Sequence, residues 1–105
     1  MKTKRALVAL SALAQESRLA VFRLLVKHAP EGLTPGVIAE SLDMPPPTLS
    51  FHLKALAQSG LVVAKTEGRF VRYRADMAAF NALVEFLTED CCQGQSSACL
   101  PENPQ

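Results

Sequence analysis

No cysteine occurs in the first 90 residues of this 105-residue chain, and no lysine or arginine follows Arg74. No apolar run approaches the ~20 residues that a membrane-spanning helix needs, so no membrane partner is expected. The three cysteines, an odd number, fit a disulfide framework poorly. No internal repeat interrupts the reading. At this length the chain holds one core, and dimerisation is a common way to bury more surface.

What is present is uneven charge. The formal net charge is only +1, but residues 1–43 carry a net +2, residues 44–75 a net +4 and residues 76–105 a net −5. In the middle segment Lys54, Lys65, Arg69, Arg72 and Arg74 stand against Glu67 alone. A basic middle fits a polyanion partner, although charge alone favours an ordinary solvated face. The start, "MKTKRALVALSALA", imitates a signal peptide. Yet Leu7, Leu10 and Leu13 keep helical spacing, and the helical pattern continues through polar Gln15, Glu16 and Arg18. A cytoplasmic location, where thiols stay reduced, is therefore expected.

The periodicity predicts helices over about 4–14 and 15–28, the second with Leu19, Phe22, Leu25 and Val26 on one face. After the breaker-rich "APEGLTPG", a short helix is expected over 35–42, with Thr34 as its N-cap and Pro35 in its first turn. "DMPPP" is a second break, and only its last proline is expected inside the next helix, which runs to about Gln58 and closes at Gly60. From there the period becomes alternating. "LVVAKTEGRFVRYRA" predicts two strands around a turn in which Gly68 takes the tight position. A last helix over about 77–90 carries the stripe Met77, Phe80, Leu83, Val84 and Leu87.

The chain thus reads as mainly α with a small β-hairpin. Helix, short turn, helix and basic hairpin in that order make a winged helix-turn-helix, with two further helices before that pair and one after the hairpin. Its domain spans 1–90, and 91–105 is a cysteine-bearing tail. The N-terminal part of the helix after the prolines would face a DNA major groove. Pro47, Thr48, Ser50, His52 and Lys54 are the candidate contacts there, with the first-turn N–H groups as an anion site. Lys65, Arg69, Arg72 and Arg74 are the candidate contacts of the hairpin. Each of these taken singly suits a surface residue; the order is what points to double-stranded DNA.

"ALAQESRLAVFRLLV", "LTPGVIAESLDMPPPTLSFHLKALAQSGLV" and "EGRFVRYRAD" resemble the ArsR/SmtB family of bacterial repressors over roughly Leu10 to Leu87. The family's recognition-helix pattern falls on Ser50, His52, Leu53 and Leu56. The resemblance implies a homodimer through the first and last helices, with Leu7, Leu10, Met77, Phe80, Leu83, Val84 and Leu87 as its interface. It also implies an operator released when metal binds. Phe51 departs from the pattern, since members often carry Arg or His between that Ser and His. The proline cluster departs as well.

The family's two common sensor positions are empty of ligands here. "LTPGVIAESL" has no cysteine, and "DMAAFNALVEFLTED" has Asp76 but no histidine. Cys91, Cys92 and Cys99 remain, and such a C-terminal trio resembles an arsenite-responsive subset. Soft trivalent As(III), or Sb(III), takes three thiolates, whereas zinc usually wants four ligands or three and a water. The expected inducer is therefore As(III), and no organic cofactor is expected. A thiol redox switch, a sensor of Cd(II), Zn(II) or Bi(III), and an incidental tail are the alternatives. A metal-sequestering or interaction module is the reading outside gene regulation. Enzymes fare poorly: a thiol phosphatase or arsenate reductase needs a cation near its nucleophile, and none follows Arg74.

Overall fold

The computed structural model describes residues 1–89, and the cysteine trio Cys91, Cys92 and Cys99 lies outside them. The helices are α1 (Thr3–Leu13), α2 (Glu16–Lys27), α3 (Pro35–Leu42), α4 (Pro46–Gln58) and α5 (Met77–Thr88). Strands β1 (Val62–Glu67) and β2 (Phe70–Ala75) pair antiparallel between α4 and α5. This is the expected winged helix-turn-helix order. None of the described helices is long and apolar enough to cross a membrane.

Local chemistry explains most boundaries. The Gln15 side chain caps α2 by accepting from the Arg18 N–H at 2.8 Å. The Asp76 carboxylate accepts from the Ala79 N–H at 3.1 Å and so caps α5. Thr34 sits at the N-cap of α3, but its hydroxyl makes no capping bond; Pro35, with φ already helical, starts the helix instead. The turn into α4 depends on Asp43, which is left-handed at φ 50, a conformation that a short polar side chain tolerates. Pro46 and Pro47 both lie in the first turn of α4, one more proline than expected. Both fit because N–H groups there have no intrahelical partner to lose.

The hairpin closes at Gly68 and Arg69, and Gly68 has φ 63. The link before α3 is more than a spacer. Leu33 exchanges two backbone hydrogen bonds with Tyr73, each 2.8 Å, and so adds a short third edge to the hairpin. Gly32 beside it is left-handed at φ 82, and a Cβ there would collide with the Tyr73 carbonyl.

Leu25, Ile38, Leu49, Leu53, Leu56, Leu61 and Leu83 form the centre of the core, with Val21 beside them. Phe22 of α2 meets Phe80 of α5 with ring centroids 5.4 Å apart. The inner face of α1 is alanine: Ala6, Ala9 and Ala12 are buried, while Leu7 and Leu10 lie outside.

Candidate nucleic-acid interface

Helix α4 has two chemically distinct faces. Leu49, His52, Leu53 and Leu56 are buried. At 100° per residue the opposite side is centred on Pro47, Phe51, Lys54 and Gln58, all exposed, with exposed Thr48 and Ser50 on its flanks. Pro47, Thr48, Ser50 and Lys54 are therefore where a groove could reach them. His52 is not.

The His52 expectation is corrected by its surroundings. Its ring is 7% exposed and turned inward, with Nδ1 3.4 Å from an Arg18 guanidinium nitrogen. A guanidinium only donates, so this contact is a hydrogen bond when Nδ1 carries no proton, as in the neutral ring. Burial first, and then the Arg18 charge, lower its pKa below 6.5. Arg18 also donates through Nε to the Ala12 carbonyl at 2.8 Å. His52 thus ties α4 to the α1–α2 junction rather than reading a base.

The expected anion site in the first turn of α4 is likewise reduced. Pro46 and Pro47 carry no N–H, and the Leu49 N–H is bonded to the Pro45 carbonyl at 3.0 Å. Only Thr48 offers a free donor among the helix's opening N–H groups.

On the hairpin, Lys65 stands opposite Arg72, Val63 opposite Arg74, and Glu67 opposite Phe70. Lys65, Arg72, Arg74 and Phe70 therefore share one face, and Arg69 occupies the tip. Lys65, Arg69 and Arg74 are exposed. Arg72 is engaged: Nε donates to Glu67 Oε1 at 3.0 Å and a terminal nitrogen donates to the Gly32 carbonyl at 3.2 Å. It braces the hairpin against the link, which leaves exposed Lys65, Arg69 and Arg74 as the wing's candidates for phosphate contact. Two residues that the sequence reading left out of the site are prominent: Phe51 and Phe70 are each 66% exposed. For Phe51 the signal was its i+4 relation to Pro47 and i−3 relation to Lys54.

The expected helix interface divides. Leu7, Leu10, Val84 and Leu87 are exposed and available to a second chain. Leu83, at 2% exposure, belongs to the protomer core and corrects its assignment. Met77 and Phe80 are half-buried against that same core. Among the described residues no three His, Cys, Asp or Glu side chains gather into a metal site.

A recognition helix held by its leucines, followed by a basic wing, defines a winged helix-turn-helix DNA-binding protein. Comparison with known proteins agrees. A helix-turn-helix domain family matches residues 13–63. The transcriptional activator HlyU of Vibrio cholerae is 32% identical over 89 residues, which cover 85% of this chain and 80% of HlyU. The homodimeric winged helix-turn-helix DNA-binding domain of Mb0332 from Mycobacterium bovis, described as a possible ArsR-family regulator, is 31% identical with a TM-score of 0.65, over 86% of this chain and 83% of that one. The antimony-specific transcriptional repressor AntR is 27% identical with a TM-score of 0.61, over 77% and 72%. The chain belongs to the ArsR family of winged helix-turn-helix transcriptional regulators. Its relatives are regulators rather than enzymes.

Proposed function

We propose that the chain is a homodimeric repressor that leaves its operator when As(III) or Sb(III) binds the thiolates of Cys91, Cys92 and Cys99. The observation that carries the DNA half is the outward face of α4 beside the cationic wing. Two such faces, one per protomer, would meet successive major grooves about 34 Å apart. Pairing through α1 and α5 is supported by exposed Leu7, Leu10, Val84 and Leu87, and by the homodimeric Mycobacterium bovis relative.

The sensing half rests on donor chemistry. Three cysteine thiols and no fourth match a trivalent metalloid that takes three thiolates. AntR, an antimony-specific repressor of similar fold, supports the assignment. Cys91 and Cys92 follow closely on α5 in the chain, so metalloid binding would be coupled to the helix that carries exposed Val84 and Leu87. Release requires that the metalloid bind the DNA-free form more tightly, and typical coupling is about 1–3 kcal/mol.

The test is fluorescence anisotropy of the reduced protein on a labelled fragment of its own upstream DNA, titrated with arsenite and with antimonite. A variant with serine at Cys91, Cys92 and Cys99 runs beside it. Release from the wild type alone is expected. Release by peroxide that dithiothreitol reverses, with no response to either metalloid, would replace metalloid sensing by a thiol redox switch. Loss of DNA binding in the serine variant would contradict the separation of reading and sensing.

A further inference from the structure

Phe51 is a large apolar side chain, 66% exposed, at the centre of the outward face of α4. Among the described residues nothing covers it, although its neighbours Leu49 and Leu53 are fully buried. It does make one aromatic contact. Its ring meets the His52 ring edge-on, with centroids 5.5 Å apart and planes at 69°. His52 is in turn held by Arg18. Pro47 lies one turn before it and Lys54 one turn after. The two first-turn prolines replace N–H donors by apolar rings on the same end of the helix. The groove-facing end is therefore apolar at its centre and polar at its edges, through Ser50, Thr48 and Lys54.

A B-DNA major groove offers hydrogen-bonding edges on every base pair, but one apolar group: the 5-methyl of thymine. We propose that Phe51, with Pro47 beside it, reads a thymine methyl in each operator half-site and sets base preference at that position. The assignment rests on the operator-binding reading above. Lys54 and Ser50 then supply phosphate or base-edge hydrogen bonds around an apolar contact. Removing one buried methyl from the contact should weaken binding about fourfold per half-site, the effect of some 0.8 kcal/mol.

The experiment first locates the half-sites by footprinting on the chain's upstream DNA. Each thymine in them is then replaced singly by deoxyuridine, which lacks only the methyl group, and affinity is read by anisotropy for wild type and Phe51→Ala. Phe51 is exposed, so the variant keeps its fold, as circular dichroism checks. At one or two thymines the wild type is expected to lose about fourfold, while Phe51→Ala binds the thymine and deoxyuridine fragments equally. Two results overturn the proposal: no deoxyuridine affects the wild type, or Phe51→Ala keeps the same thymine dependence. If the wild type shows no preference for its upstream DNA, the operator reading falls and takes this inference with it.

Discussion

In α4 the leucines Leu49, Leu53 and Leu56 are buried within the protomer, whereas in α1 Leu7 and Leu10 lie at the surface and Ala6, Ala9 and Ala12 hold the inner face. Both helices are amphipathic, but they spend their large side chains in opposite directions. Alanine inside lets α1 lie close against its own protomer. Leucine outside leaves apolar surface for another chain. The same contrast runs through α5, where Leu83 faces in and Val84 and Leu87 face out. In the proposed dimer, stability of the protomer and stability of the pairing thus fall to separate residues, even on one helix.

That division can be broken from either side. Leu53→Ala empties a fully buried site and should cost about 2–5 kcal/mol in chemical denaturation, whatever the protein concentration. Leu7→Glu with Leu87→Glu should leave the protomer's helical signal intact and weaken self-association about a hundredfold or more, read as halved mass in sedimentation, because an interface would bury unpaired charge. If the glutamates unfold the chain instead, those leucines belong to the core.

The effects expected at His52 and on the wing are smaller. His52 is held neutral, with its pKa lowered by burial and by Arg18. The unfolded chain therefore takes up the proton first. The stability this histidine contributes is present above pH 6.5 and is lost as pH falls below that value toward the lowered pKa. His52→Gln keeps an acceptor for Arg18 and should flatten the acid limb of a melting-temperature profile; an unchanged limb would place His52 in solvent. On the wing, Arg69→Ala should weaken operator binding by about 1 kcal/mol and reduce the salt slope by roughly one counterion. Arg72→Ala should change the slope less, since Arg72 is already paired with Glu67.

Much of this fold was legible in the sequence. Helical spacing, proline and glycine breaks and the switch to alternation placed every element within a few residues, since they report backbone constraints. What stayed hidden depends on which way a periodic stripe turns. His52 and Ser50 are both polar and two residues apart, yet only the packing of Arg18 against α4 shows that one points inward. Leu83 and Val84 are adjacent in one apolar stripe, and only the position of the core separates them. Arg72 is spent on Glu67 and Gly32 because a register brings them together, and no local pattern announces that. Phe51 was visible as a departure from the family pattern, but its exposure gives the departure a meaning.

The central claim is that paired α4 faces and cationic wings recognise one operator. The most direct measurement compares affinity for the chain's own upstream DNA with that for an unrelated fragment of equal length, at several salt concentrations. The account predicts binding by a dimer, tighter to the upstream fragment by about a thousandfold or more, with affinity falling steeply as salt rises. Equal affinity for both fragments would contradict it.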